Sequence, residues 1–410
     1  MIGSSTMIAF PLTLLAGSVA GIDWDVRPGI VSQLLFIVTL FTLQEYKLTK
    51  DSRALYKLPL IFIIWANTHL GFVLGLVTIG FTILERYLFF TSEKDFVSKT
   101  QERREIVFLV SLLGICLLAT LLNPNTYQLI PYFARVASLE QNDYIGELMS
   151  PNFHHELINY ELMLLLLIAS LAFLQRKAEL GILLMTFIFL IVSLHSKRFS
   201  PYFAFLATIV IAQQLNSAIV PDPRRTQSGQ TIIEKLYGLS LRLDKGEKVF
   251  CSGVPALLVA IIMTLMIISG YTSRVVDLGF SKEKFPVEAC NFVKQHELPG
   301  NLYSSSYWGS YAIFSLYPRY KVFFDTRHDM YGDKIFFEAL TCDYLKNYKT
   351  IKDLDVHLED PNTIFDKYQV NWILIEKERP LAQVLKKDKE WIKIYSDEVA
   401  MIFLRNNEAN

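Results

Sequence analysis

The 410-residue sequence has no phosphate loop, no nucleophile elbow and no dinucleotide fingerprint, so the common nucleotide-dependent and α/β-hydrolase chemistries leave no signature in it. Charge is sparse. Asp, Glu, Lys and Arg make up 20% of residues, and 40 basic side chains balance 40 acidic ones. A net charge of zero offers no basic footprint, so nucleic acid is not expected as a partner. Cysteine is also scarce: Cys116, Cys251, Cys290 and Cys342 form no CxxC or CxxH pattern. Cys116 lies in an apolar run and reads as core, and Cys251 sits at the edge of another. Cys290 and Cys342 share a more polar stretch, where a disulfide in an oxidising compartment and two free thiols both stay open.

Apolar sequence is what the chain has in excess, at 52% hydrophobic residues. That is too much for an ordinary soluble enzyme, and it is unevenly spread. The long apolar runs end near Gly270, and from Tyr271 the chain mixes charge, aromatics and short strand-like runs. "MIAFPLTLLAGSVAG" has no basic stretch before it and more apolar segments after it, so it reads as a first membrane helix. A spanning helix needs about 20 apolar residues. The candidates are Met7–Ala20, Gly29–Leu43, Leu58–Ala66, Gly71–Phe89, Glu105–Leu122, Tyr160–Leu174, Leu180–Leu194, Pro201–Ala218 and Pro255–Gly270. The expected fold is therefore an α-helical integral membrane bundle of about nine segments, some short or re-entrant, over residues 1–272. A small extracytoplasmic α/β domain is expected at 273–410.

Basic residues orient this arrangement. Connections 46–57, 85–105, 175–178 and 219–250 hold seventeen Lys and Arg, and the alternate connections hold four. The positive-inside rule places the first set and the N-terminus in the cytoplasm and the C-terminal domain outside, in a multi-pass protein of the plasma (inner) membrane. "LPLIFIIWANTHLGFVLGL" then has to enter and return. As one helix, Leu58–Phe89 would be about 48 Å long against a ~30 Å hydrocarbon core. A hairpin is expected, with Asn67, Thr68 and His69 at its outer tip.

Other unusual polar residues fall on that outer side. They are Asp23, Asp25 and Arg27 in "GIDWDVRPG", then Asn123, Glu147, His154 and His155 in the long loop, and His195, Lys197 and Arg198 in "LHSKRFSPYF". Charges at membrane depth are costly and usually functional. The plainer reading is that Arg27 and Arg198 snorkel or pair with Asp25 and Glu147, and that Asn67 and His69 satisfy helix ends. His69, His154, His155 and His195 lie on separate loops, a weak basis for a metal site, so no cofactor is assigned and a divalent metal lacks support. In the C-terminal part "FFDTRHDMYGD" brings Asp325, Arg327, His328 and Asp329 together at an expected strand end. An Asp325–Arg327 pair that merely holds the loop competes there with a catalytic role.

The stretches "DVRPGIVSQLL", "IIWANTHLGFVLGL", "LLNPNTYQLI" and "SKRFSPYFAF" follow one another in order. After them come "FPVEACNFV", "YWGSYAIFSLYPRYKVFFDTRHDMY" and "DEVAMIFLR". This ordered set resembles a group of prokaryotic multi-pass proteins similar to the GT-C membrane glycosyltransferases of the protein-mannosyltransferase kind. The resemblance implies transfer of a sugar from a polyprenyl-phosphate donor to an acceptor, here of unknown identity, at the outer face of the lipid bilayer. It implies that Arg198, with Lys197 or Arg27, clamps the donor phosphate. Asn67, His69 and Glu147 would line the pocket, and Asp25 would be the base. GT-C enzymes carry their acids in a long first outer loop, whereas here that loop has about eight residues. The chain thus reads as starting after the usual first helix and catalytic loop. It is then a shortened piece, or a relative that has lost or moved catalysis, and a non-catalytic protein binding a polyprenyl lipid or an envelope partner is the alternative.

Overall fold

Pro28 and Pro59 each stand at the start of a helix, where a missing N–H costs nothing. The structure, a computed structural model, describes residues 5–21, 27–92, 96–154, 157–174, 179–219, 234–235, 237–245, 280–346, 348–349, 355–356 and 361–406. The chain divides into two compact units, Met1–Ala134 with Ile145–Leu258, and Arg135–Tyr144 with Val259–Asn410.

The first unit is helical. Its described helices are α1 (Thr6–Ala20), α2 (Gly29–Thr49), α3 (Leu58–Ala66), α4 (Phe72–Ser92), α5 (Phe96–Ala119), α6 (Leu129–Ala137), α7 (Ile158–Ala169), α8 (Leu180–His195) and α9 (Ser200–Ile219). Of these, α9 is the core helix. It packs against α1, α2, α7 and α8, and buries Phe203, Ala204, Leu206, Ala207 and Val210 completely. The apolar run from Leu58 breaks at Asn67–Gly71 into α3 and α4. As a result α4 runs parallel to α2, since Ser32 meets His69 near their starts and Lys47 meets Glu85 near their ends.

The expected membrane bundle of about nine segments is not what these helices form. Among the described residues only Gly29–Thr49 and Phe72–Thr91 are long and apolar enough to cross a membrane. The reason is length and packing. At 1.5 Å per residue the nine-residue α3 is about 14 Å long and the sixteen-residue α8 about 24 Å, against a ~30 Å hydrocarbon core. Charge excludes the first turns of α5, which hold Lys99, Glu102, Arg103, Arg104 and Glu105. Much of the apolar sequence that resembled spans instead forms the interior of the unit. The candidate at Pro255–Gly270 lies outside the described residues. Apolar side chains also face outward in stripes at helical spacing. Leu34, Ile37 and Phe41 do so on α2, Leu162 and Leu165 on α7, and Phe187, Ile188 and Ile191 on α8.

The second unit holds a four-stranded sheet of order β1-β4-β6-β5, formed by β1 (Asn301–Ser304), β4 (Val370–Glu376), β5 (Trp391–Ser396) and β6 (Ala400–Arg405). Two short strands, β2 (Tyr348–Lys349) and β3 (Asp355–Val356), pair separately. β1 runs parallel to β4, and β6 is antiparallel to both β4 and β5. Both faces are covered, so "WILI" in β4 is apolar throughout. Trp372 and Leu374 pack on one side with α10 (Val287–His296) and α11 (Ser306–Leu316). Ile373 and Ile375 pack on the other with α13 (Pro361–Lys367) and α14 (Pro380–Leu385). Cys342, on α12 (His328–Tyr344), shares that second layer, whereas Cys290 lies in the first. The sheet separates these two buried cysteines, and they do not pair with each other. Burial pushes the Cys290 thiol up to about 11.

"KVFFD" reads as a strand in sequence but makes only one bridge, Val322 to Leu302. Its backbone is pressed against α11 instead. A Cβ at Gly309 would stand 1.9 Å from the Phe324 carbonyl oxygen, so only glycine permits that approach.

Candidate functional site

The starts of α2 and α4 carry the densest meeting of the residues singled out in sequence. Arg27, just ahead of α2, donates from Nη1 to Glu147 Oε2 at 2.7 Å. Arg198 reaches the other oxygen, with Nη1 3.6 Å from Glu147 Oε1. Two backbone hydrogen bonds hold this geometry, Arg198 N–H to the Glu147 carbonyl at 3.1 Å and Lys197 N–H to the Met149 carbonyl at 3.0 Å. The side chains remain accessible: Arg27, Glu147 and Arg198 are 42%, 29% and 37% exposed.

His69 completes the group. Arg198 Nη2 lies 3.3 Å from its Nε2, while Nδ1 is 2.7 Å from Ser32 Oγ and receives the Gly71 N–H at 3.1 Å. The fully buried Trp65 donates its indole N–H to the same Ser32 Oγ at 2.8 Å. Glycine is required at 71, because a Cβ there would lie 2.4 Å from Ser32 Oγ. Burial, and next the Arg198 charge, hold the His69 imidazole down to about 4, with Glu147 opposing them, so the ring is neutral near pH 7.

The other sequence candidates fall elsewhere. Asn67 caps α3 and ties it to the end of α5, donating to the Ile63 and Leu122 carbonyls at 2.8 Å each. Asn123 closes its own turn through Asn125 N–H and the Thr120 carbonyl. Lys197 contributes its backbone, and its ammonium has no ion-pair partner among the described residues. His195 Nδ1 contacts the Ile191 carbonyl on its own helix, and His154 is exposed. Among the described residues no three His, Cys, Asp or Glu gather to hold a metal. Asp23, Asp25 and His155 lie outside the described residues.

In the second unit Asp325 and Arg327 do pair. Asp325 is 1% exposed and accepts from Arg327 Nε at 2.9 Å, Arg327 Nη2 at 2.6 Å and Tyr331 Oη at 2.6 Å. These bonds to Arg327 and Tyr331 outweigh burial, which acts the other way, and hold the carboxyl below its usual range. Beside them Ser306 Oγ lies 2.7 Å from His328 Nε2, and His328 stacks on Phe324.

Sequence reasoning missed two features. One is the Trp65–Ser32 support of His69, which becomes visible only when the run from Leu58 folds back on α2. The other is an ion network at the far ends of the same helices. Lys47 Nζ bonds Glu85 Oε2 at 2.5 Å and Glu179 Oε2 at 2.9 Å, with the Lys47 and Glu85 side chains only 8% and 5% exposed. Gly181 N–H donates to Glu85 Oε1, and Gln44 and Gln213 donate to Glu179. Glu85, set with Arg86 inside the apolar stretch "FTILERYLF", is the signal that could have revealed it.

Against known proteins the sequence matches no family model and no curated protein. The likeness to GT-C enzymes therefore rests on its motifs alone.

Proposed function

We propose that the protein is a membrane-associated, GT-C-like glycosyltransferase, or the larger part of one, that takes a polyprenyl-phosphate-linked sugar at the Arg27–Glu147–Arg198–His69 site. The observation that carries this is the convergence of two accessible guanidinium groups and a neutral imidazole, held by backbone pairing of 147–149 with 197–198. Arginine's fork suits phosphate oxygens, and Glu147 serves as counter-ion until a phosphate arrives. α2 and α4 are the membrane-crossing elements of this reading, and their outward apolar stripes face lipid. Basic residues cluster at their ends, around Lys47–Lys57 and Arg86–Arg104, which supports a cytoplasmic location for those ends and, on this reading, a site at the outer face of the plasma membrane. On the same reading the second unit is extracytoplasmic.

A second reading, a non-catalytic binder of the same lipid, is favoured by one observation. Glu147, the acid of this cluster, is already engaged by both arginines and is poorly placed to take an acceptor's proton.

The test uses the full chain in lipid nanodiscs. Prenyl phosphate should bind, and Arg198→Ala should weaken binding by about tenfold or more, as expected for a lost charge-assisted pair. Binding unaffected by Arg198→Ala would sink the proposal. Release of sugar from a prenyl-phosphate-sugar separates the enzyme from the binder.

A further inference from the structure

His69 is offered more donors than it has acceptors. A neutral imidazole carries one N–H and one free lone pair. Yet Nδ1 faces the Gly71 backbone N–H at 3.1 Å, and Nε2 faces an Arg198 N–H at 3.3 Å; neither group can act as an acceptor. The Gly71 N–H decides between them. Ser32 Oγ receives the Trp65 indole N–H at 2.8 Å and keeps a second lone pair, so at 2.7 Å from Nδ1 its hydroxyl serves either tautomer. The opposite tautomer would set an Nδ1–H against the Gly71 N–H, which the backbone cannot turn away. Nδ1 is therefore the acceptor and the ring proton sits on Nε2. That proton meets Arg198 head-on, two donors converging with no acceptor between them. Unmatched donors at a partly buried site are costly, and an anionic oxygen resolves the mismatch.

We infer that His69 Nε2–H and Arg198 together form the seat for one phosphate oxygen of a phosphoester, with the Gly71 N–H fixing the His69 tautomer and Ser32, braced by Trp65, as the positioning residue that holds the ring. The inference rests on the phosphate reading above and assigns that site its second donor. The seat recognises an oxyanion, and both a lipid phosphate and free inorganic phosphate supply one.

The experiment is nitrogen NMR of [15N-imidazole]histidine-labelled full chain in nanodiscs, titrated with prenyl phosphate and, in parallel, inorganic phosphate. The chain has seven histidines, and His69→Gln assigns the signal. In the free protein at pH 7, His69 should be the neutral Nε2–H tautomer, and either phosphate that binds should shift Nε2 far more than Nδ1. His69→Gln, whose amide can donate from the same place, should retain most of the affinity, while His69→Leu should lose about tenfold. Ser32→Ala, which removes the hydroxyl that holds the ring with little change of volume, should leave the Nε2–H tautomer in place, broaden the His69 nitrogen signals and weaken binding several-fold; Trp65→Phe repeats that test from the other partner. An Nδ1–H tautomer in the free protein overturns the inference. So does Arg198-dependent binding that leaves the His69 nitrogens unmoved, a result that spares the phosphate site itself. Absence of binding by both phosphates overturns both. Prenyl phosphate binding well above inorganic phosphate assigns the seat to a lipid headgroup, and equal binding assigns it to the free ion.

Discussion

The two ends of the α2–α4 helix pair use the same chemistry under opposite conditions. At the start, Glu147 sits between two arginines that are more than a third exposed. About 22 Å away at 1.5 Å per residue, counting from Ser32 to Lys47, Lys47 sits between Glu85 and Glu179, and it and Glu85 have almost no exposure while Glu179 is 33% exposed. Water and a ligand can compete for the whole of the first set, whereas in the second water reaches Glu179 but not the Lys47–Glu85 pair. An exposed pair is worth little as a fastener and is free to serve as a site. A buried one is a fastener whose members cannot be removed singly.

The largest effect should come from breaking that contrast at its buried end. Lys47→Met leaves Glu85 and Glu179 facing each other without a cation and should cost about 3–5 kcal/mol in denaturant unfolding. Adding Glu85→Leu should return much of that loss. Should Lys47→Met cost no more than Arg27→Ala, the network is not a fastener. At the open end the order reverses: Arg198→Ala should change stability by less than about 1 kcal/mol while abolishing most phosphate binding.

An intermediate case sharpens the scale. In the second unit Asp325 is buried and Arg327 is 58% exposed, so Arg327→Ala strips a buried carboxylate of two bonds yet leaves Tyr331 on it. A loss of about 1–2 kcal/mol is expected, and Arg327→Lys should recover only part, because an ammonium cannot form the fork.

The contrast extends to pH dependence, and its sign differs between the two units. His69, faced by Arg198 and Glu147, has a folded pKa of about 4 against an ordinary 6.5. Between those values the unfolded chain takes up a proton that the folded one refuses. Stability from this group therefore falls as pH drops from 6.5 to 4, with a slope of at most about 1.4 kcal/mol per pH unit. Asp343, buried beside Tyr303, is raised from 3.8 to about 7 by desolvation, with Arg379 opposing. The folded chain there holds the extra proton, so stability from Asp343 falls as pH rises through that window. His69→Gln should flatten the first slope and Asp343→Asn the second, each read from unfolding midpoints across pH 4–7.5.

Local elements were readable where chemistry and spacing agreed. The break at Asn67–Gly71, the apolar strand at Val370–Glu376 and the closing hairpin of β5 and β6 follow from polar punctuation and residue type. The number of spans was not readable. An apolar run such as Pro201–Ala218 has the same composition whether lipid or other helices surround it, and α9 is surrounded by helices. Of the site, Arg27, Glu147, Arg198 and His69 could be named because charged and imidazole groups stand out in apolar sequence. Ser32 and Trp65 could not, since a serine and a tryptophan in a helix are ordinary until folding sets them 2.8 Å apart.

The second unit borrows residues 135–144 from the middle of the first. Gln141 N–H donates to Asp333 Oδ1, and Tyr144 packs edge-on against Phe337, across a sequence gap of 192 residues for the hydrogen bond. During synthesis at roughly 5–20 residues per second, that loop therefore stays without its partner for about 10–40 s. Through this interval the growing chain carries an unclosed loop, so the order in which the ribosome delivers the segments becomes part of how the protein assembles. A chain cut after the first unit would leave the loop permanently waiting.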